Sequence, residues 1–115
     1  MYDLTTIKRI SKNDNAVISK YIRAFIDNSA EELKTIEEDM AANKWNDIAE
    51  VLHKMKTSVA YFGMNDIEQL VIHAETNIKN NIEKRTVRGQ IEEIKRLLTT
   101  AFHSLQEEID SLAKS

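Results

Sequence analysis

The chain contains no cysteine, so its three histidines, His53, His73 and His103, are its obvious reactive side chains. Imidazole is largely uncharged near pH 7, and a free ring nitrogen can then act as a general base, a metal ligand or a nucleophile. Disulfide and thiolate chemistry are excluded for the 115 residues because both need cysteine. The residues around each histidine therefore indicate which chemistry is open to it.

His53 has an unusual setting on a predicted helix. Apolar residues at four- and three-residue steps predict the buried stripe of that helix: Ile48, Leu52, Met55, Val59 and Phe62. At about 100° per residue, His53 lies about 140° from the centre of this stripe and faces outward. Small residues, Ala49, Thr57 and Ala60, surround it at helical spacing and leave room for another protein to approach. Lys56, three residues on, can reach an anion held on the imidazole.

The other two histidines lack such a setting. His73 and His103 project away from their apolar stripes among longer polar side chains, and we expect both to be ordinary solvated residues. An ordinary surface role is also the simplest alternative for His53 itself.

Glu50 and His53 have the Glu-x-x-His spacing that di-iron carboxylate bundles use to bind metal. Such a site needs a second pair, and neither His73 nor His103 has a glutamate three residues before it. Glu50 and His53 are also predicted to face outward, so we expect no metal site. A metal-dependent oxidase stays open only as a third alternative, which iron in the purified protein would reveal. No Gly-x-Ser-x-Gly elbow and no glycine-rich phosphate loop occur.

The composition favours amphipathic helices in a single domain over residues 1–115. The chain is 42% hydrophobic and 30% charged, with no proline and only Gly63 and Gly89 as glycines, so the turn residues that sheets require are missing. No apolar run is long enough to span a membrane, and the first residues do not resemble a signal peptide. The net charge of −3 argues against nucleic acid as a partner. We therefore expect a cytoplasmic protein that binds neither membrane nor nucleic acid.

Helix boundaries are predicted from caps and apolar spacing. Ser29 and Asn65 are each followed three residues later by glutamate, the capping-box pattern, and Gly63 is a predicted helix stop. Apolar spacing predicts a short N-terminal helix, a segment that begins near Asn13, and further segments over about 29–42, 45–62, 65–81 and 86–112. Only Asn28 and Ser29 separate the first two long segments, so one bent helix is the alternative. Short connections favour antiparallel packing. The predicted fold is all-α: an up-and-down antiparallel four-helix bundle with an additional N-terminal helix.

The stretch that begins at Trp45, WNDIAEVLHKMKTSVAYFG, resembles the signature of histidine-containing phosphotransfer (Hpt) domains. Those domains carry His-x-Leu-Lys-Gly-Ser on one bundle helix, with a glycine about ten residues after the histidine. His53, Lys56, Ser58 and Gly63 fall on matching positions, with Met55 in place of leucine. The similarity continues at Asp3-Leu4, at Phe25-Ile26-Asp27, in the small-residue tract before Trp45 and at Ala74-Glu75, and so spans nearly the whole chain.

The resemblance implies a phosphorelay carrier. His53 would accept a phosphoryl group at Nε2 from an aspartyl phosphate on a receiver domain and pass it to another receiver, and Lys56 would neutralise the added charge. A docking surface would surround His53, with Thr57 as one member and an apolar part formed by Ala49, Ala60, Met64 and Ile72. For Ile72, a singly exposed apolar residue is an equally good interpretation. Gly63 would have a structural role. The chain would be a monomer, and its partners would be receiver domains, a hybrid sensor histidine kinase or both. The Mg²⁺ would belong to the receiver, so we expect no cofactor on this chain.

One departure from the family pattern matters. Thr57 stands where the family commonly has glycine, and it could narrow the approach to His53 or hydrogen-bond the phosphoryl group.

A kinase dimerisation helix typically has an acidic residue after the histidine and soon a proline, whereas here Lys54 follows and proline is absent. We therefore expect neither ATP binding nor autophosphorylation. The second candidate is a docking module that binds a receiver or sensor kinase without phosphorylation.

Overall fold

The computed structural model describes residues 1–114, which form five helices. They are α1 (Thr5–Ile10), α2 (Asn15–Ala41), α3 (Trp45–Tyr61), α4 (Asn65–Lys79) and α5 (Lys84–Ala113). No β-strand occurs between residues 1 and 114. The predicted all-α fold, with four long helices and a short N-terminal one, is confirmed.

The four long helices form a ring in which each packs against two neighbours. Both α2 and α4 contact α3 and α5. Two side-chain pairs join α2 to α5: Arg23 donates a hydrogen bond to Gln106 at 2.7 Å, and Lys95 is paired with Glu37. Residue numbers rise along α2 as those of their partners fall along α5, so the two helices run antiparallel. This is the predicted up-and-down bundle.

The apolar stripe predicted for α3 forms part of the core. All five of its residues are buried: Ile48, Leu52, Met55, Val59 and Phe62. Burying a side chain of this size stabilises the fold by roughly 1.5–3 kcal/mol. The stripe therefore determines how α3 is rotated, and it turns the opposite face of the helix to solvent.

The predicted helix start at Ser29 is wrong, and the alternative of one helix through this region is right. Ser29 lies in the middle of α2, where it is buried. The buried residues of α2 continue past it at helical spacing: Ile18, Ile22, Phe25, Ser29, Leu33, Ile36 and Met40. Because the stripe is unbroken, packing against the bundle outweighs the tendency of serine to begin a helix.

Gly63 ends α3 as predicted, and the fold gives a second reason for glycine there. Its φ of +63° lies in the left-handed region that favours glycine. A side chain would also collide with the N-terminal segment, because a Cβ at Gly63 would lie 2.6 Å from the Cβ of Asp3. The backbone N–H of Asp3 donates to the carbonyl oxygen of Phe62 at 2.9 Å. The capping box predicted at Asn65 does not form: Met64 is the N-cap of α4, with no side-chain cap hydrogen bond.

The first residues of the chain connect α3 to α5. The hydroxyl of Tyr2 donates to the carboxylate of Glu108 at 3.2 Å. Burial and the neighbouring Glu108 carboxylate raise the pKa of Tyr2 to about 12. Asp3 accepts hydrogen bonds from the backbone N–H and the hydroxyl of Thr5, at 2.8 and 2.6 Å, at the start of α1. The N-terminal segment is thereby held against the end of α3.

The start of α3 contacts the start of α5 through an aromatic ring and two cations. The Nζ atom of Lys84 lies 5.2 Å from the ring centre of Trp45, and the guanidinium carbon of Arg88 lies 5.1 Å from it. Both distances fall within the range of cation–π attraction.

Of the helices described, none is long and apolar enough to cross a membrane.

Candidate functional site

His53 lies on the outward face of α3, as the sequence predicts. Its side chain is 64% exposed, while Leu52 before it and Met55 after it are fully buried. The imidazole is therefore accessible to another molecule, and the buried stripe fixes the helix that carries it.

A buried carboxylate lies beside this exposed imidazole. Oε2 of Glu75, on α4, is 2.9 Å from Nδ1 of His53, and the side chain of Glu75 is only 6% exposed. Glu75 lies within the buried stripe of α4, whose other members are all apolar: Ile67, Val71, Ala74 and Ile78. Sequence reasoning noted Ala74-Glu75 only as part of the resemblance and did not place Glu75 in the site. The sequence did contain a sign of its role: Glu75 follows Val71 by four residues, so a carboxylate occupies a position of the apolar stripe.

Two lysines share the Glu75 carboxylate with His53. Nζ of Lys79 lies 2.9 Å from Oε2, one helical turn along α4. Nζ of Lys56, on α3, lies 3.6 Å from Oε1. The arrangement places two ammonium groups and one imidazole around a single buried carboxylate, which supplies the paired charge that a buried carboxylate requires.

The environment of Glu75 determines which nitrogen of His53 carries a proton. Burial acts to raise the pKa of Glu75, but hydrogen bonds from Lys79 and His53 and the charge of Lys56 outweigh it, so the pKa is lowered. Glu75 is therefore ionised at neutral pH and can only accept hydrogen bonds. Nδ1 of His53 must then be the donor, and in the neutral ring Nε2 holds the free lone pair.

The imidazole borders a cleft of about 460 Å³ between α3 and α4. The residues that line it are Asn46, Ala49, Glu50, His53, Lys54, Glu75 and Lys79. The charged side chains that line the cleft with His53 are therefore two lysines and two glutamates, and of these Lys79 and Glu75 are ion-paired with each other.

The predicted docking residues differ in how exposed they are. Thr57 and Ala60 are exposed on the face of α3 that carries His53, as predicted, and Ile72 is half-buried. Met64 is fully buried and Ala49 is buried, so both predictions of an exposed docking residue are wrong. Met64 follows the turn at Gly63, which directs its side chain into the core, and Ala49 lies on the side of α3 that α4 covers. Ala49 nonetheless borders the cleft beside His53.

An exposed apolar surface that the sequence analysis missed lies at the C-terminal end of α3. Tyr61, two turns after His53, is 52% exposed, and Ile10 and Tyr21 are 45% and 43% exposed. All three border one groove between α1, α2 and α3. Large apolar side chains that share an exposed groove indicate an interaction surface. We call these three residues the Tyr61 surface.

The remaining predicted features lie apart from this site. His73 and His103 are exposed, as predicted for solvated residues. Glu50 is exposed and borders the cleft beside His53. Within residues 1–114, no three His, Cys, Asp or Glu side chains are grouped so that they could hold a metal ion.

Comparison with known proteins gives one match. The family model of the Hpt domain matches residues 20–114, which include α3, α4, α5 and most of α2. The match leaves out α1 and the N-terminal segment that contacts Phe62. Neither the curated proteins nor the solved structures gave a match to the chain.

Proposed function

Because the chain belongs to the histidine-containing phosphotransfer (Hpt) domain family, we propose that His53 is its phosphoacceptor in a two-component phosphorelay. Hpt domains are phosphotransfer carriers, and their partners are receiver domains and kinases. The donor would be an aspartyl phosphate on one receiver, and the acceptor would be the aspartate of another. The observation that carries the proposal is the exposed imidazole of His53, whose Nδ1 lies against the buried carboxylate of Glu75.

The transfer step follows from the tautomer of His53. The lone pair on Nε2 attacks the phosphorus atom, an N–P bond forms, and the P–O bond to the receiver aspartate breaks with its electron pair left on that carboxylate. The ring becomes a phosphorylated imidazolium that keeps its proton on Nδ1. Because Glu75 accepts from Nδ1–H, its negative charge stabilises the positive charge that develops on the ring. No proton has to leave the site during the transfer.

Lys56 supplies positive charge close to the new phosphoryl group. Its ammonium lies 3.6 Å from Glu75, and its side chain is 33% exposed, so it can turn toward an anion on His53. Charge-assisted contacts of this kind are the usual way in which proteins hold phosphoryl groups. These features support the role that the resemblance implies for Lys56.

The chain is proposed to act as a carrier rather than a catalyst. In phosphoryl transfer the protein contributes mainly positioning and charge, and here the receiver would bring the Mg²⁺ and the acidic pocket. The chain would then need no nucleotide, no cofactor and no second copy. We place it in the cytoplasm, where the kinases that start such relays find ATP.

The receiver is proposed to dock on the outward face of α3 and on the Tyr61 surface. Thr57 and Ala60 lie between His53 and Tyr61 on α3, so a partner seated over Nε2 would cover them. A docking site built in this way replaces the predicted contributions of Ala49 and Met64, whose side chains are buried. The apolar groove would supply affinity, and Nε2 of the exposed imidazole would take the transferred group.

The test is receiver-dependent phosphorylation. Receivers from the same genome, charged by their kinases, are mixed with the wild type and with His53→Gln, and acid-labile, alkali-stable label is sought on this chain. Label on the wild type alone is the expected result. Label that persists on His53→Gln would refute His53 as the acceptor.

A phosphorylation-independent docking module is the second candidate, and the Tyr61 surface favours it because that surface does not depend on His53. If this candidate is right, no receiver transfers label, although phosphoramidate still modifies His53 and a receiver still binds. Binding by His53→Gln alone does not separate the two candidates, since both predict it.

A further inference from the structure

Lys79 and His53 meet at a single oxygen atom. Nζ of Lys79 and Nδ1 of His53 each lie 2.9 Å from Oε2 of Glu75. The ammonium of Lys79 therefore lies no farther from Nδ1 of His53 than twice that distance. The side chain of Lys79 is 64% exposed, so it is free to move on the solvent side of the site.

Lys79 differs in this respect from the two lysines of the motif helix. Lys56 contacts the other oxygen of Glu75 at the longer distance of 3.6 Å, and it borders the shallow pocket at Thr57 rather than the cleft beside His53. Lys54 also borders the cleft, but its charge acts on Glu32 of α2, where burial raises the pKa of the carboxyl group and Lys54 only partly opposes that rise. Between residues 1 and 114, only Lys79 both borders the cleft and is ion-paired with the carboxylate that holds His53.

We propose that Lys79 binds the phosphoryl group of phosphorylated His53, as a second cation beside Lys56. The inference rests on the proposed function, since it requires that His53 becomes phosphorylated. Glu75 is buried, but it keeps Nδ1–H of His53 and the charge of Lys56 as partners when Lys79 turns away. The side chain of Lys79 itself is largely in solvent, so Lys79 can leave Glu75 without leaving that carboxylate unpaired. A phosphoryl group carries nearly two negative charges and attracts the ammonium more strongly than a single carboxylate does.

The rearrangement would also leave Glu75 available to the ring. In the unphosphorylated protein, Oε2 of Glu75 is shared between Lys79 and His53. Once Lys79 turns to the phosphoryl group, that oxygen serves the imidazolium alone. Each added charge then has an opposite charge next to it: the phosphoryl group has Lys79, and the ring has Glu75.

The experiment uses the full chain phosphorylated by phosphoramidate, so that no receiver is needed. Lys79→Gln is compared with Lys54→Gln, which removes the same charge from the same cleft. ³¹P NMR follows the titration of the phosphoryl group and its equilibrium occupancy. In Lys79→Gln we expect the phosphoryl pKa to rise and the occupancy to fall about threefold, with Lys54→Gln close to the wild type and Lys79→Arg restoring both.

A second background separates direct contact from an effect through Glu75. In Glu75→Gln, the added change Lys79→Gln should still raise the phosphoryl pKa, because the contact is with the phosphoryl group itself. If it has no effect there, or if Lys54→Gln matches Lys79→Gln in the wild-type background, the inference is overturned. A wild type that gains no phosphoryl group on His53 overturns the proposed function and this inference together. A phosphorylated wild type that Lys79→Gln leaves unchanged overturns the inference alone.

Discussion

Nδ1 of His53 lies 2.9 Å from Oε2 of Glu75, across the contact between α3 and α4. One partner is largely exposed and the other is buried, so the pair joins the core of the bundle to the surface where a partner must arrive. The exposed ring is oriented by a group that cannot itself be reached from solvent. The position of the proton on the neutral ring therefore depends on a residue of another helix.

The first prediction concerns this contact. Glu75→Ala should slow phosphorylation of His53 by phosphoramidate about tenfold or more, because the ring loses its acceptor and its compensating charge. Glu75→Gln should be slowed less, since its amide oxygen can still accept from Nδ1–H. The rates are measured by the appearance of phosphohistidine. Equal rates for the wild type and Glu75→Ala would show that the contact does not support the reaction.

The same carboxylate should make stability depend on pH. Burial opposes ionisation, but the hydrogen bonds from Lys79 and His53 and the charge of Lys56 leave the folded-state pKa of Glu75 below its ordinary value of 4.5. A lowered pKa stabilises the folded state above 4.5, and this contribution disappears as the pH falls through the folded-state value. Urea titrations at a series of pH values from 6 downward test this. As the pH falls, the free energy of unfolding should decrease less for Glu75→Gln than for the wild type. Glu31→Gln, at an exposed position of α2, is the control and should decrease as the wild type does.

The two glycines should respond in opposite ways to alanine. Gly63→Ala should destabilise the protein by at least about 1–2 kcal/mol, because its φ is positive and the new Cβ would meet Asp3. Gly89→Ala should stabilise it by roughly 0.5–1 kcal/mol, because Gly89 lies within α5 and nothing lies within 4 Å of its added Cβ. Free energies of unfolding from urea titrations test both. A neutral Gly63→Ala would contradict the close approach of the N-terminal segment.

The Tyr61 surface should contribute affinity for a receiver without affecting the chemistry. Tyr61→Ala should weaken binding of a transfer-competent receiver about tenfold, as expected for a large aromatic residue in an interface. Its phosphorylation by phosphoramidate should stay at the wild-type rate. Ile82→Ala is the matched control, since Ile82 is exposed in the connection between α4 and α5. Calorimetry with the receiver gives the affinities, and equal losses for both variants would argue against a specific surface.

Thr57 should act on the partner rather than on the phosphoryl group. Thr57→Ala should speed transfer from a receiver about threefold, because it removes two atoms from the face that the receiver must cover. The small donor phosphoramidate should react at an unchanged rate. Thr99→Ala, an exposed threonine on α5, serves as the control. Slower reaction with both donors would instead indicate that the hydroxyl hydrogen-bonds the phosphoryl group.

Features of a single helix were predicted well from the sequence. The stripe that contains Leu52 and Met55 and the exposure of His53 both follow from a period of 3.6 residues, which is a local property. Gly63 was assigned correctly as a helix stop for a similar reason. The packing of Asp3 against it was not predicted, because two distant parts of the chain must be brought together for that contact.

Features that depend on two helices were predicted poorly. The local capping pattern at Ser29 predicts a helix start. In the bundle Ser29 is buried within α2, and this packing keeps the helix continuous through it. Ala49 and Met64 were placed on the surface because the position of the neighbouring helix was unknown. Glu75 was missed for the same reason: its contact with His53 depends on how α3 and α4 are aligned, and helical periodicity alone does not give that alignment.

The ring contact at the start of α3 gives the protein an optical reporter of its own. Trp45 is the only tryptophan in the chain, and it lies on the same helix as His53, two turns before it. Its indole lies close to the charged groups of Lys84 and Arg88, and the emission of an indole shifts with the charges around it. Separation of α3 from α5 would therefore change the fluorescence without any label. Unfolding can be followed in this way at concentrations far below those that NMR requires.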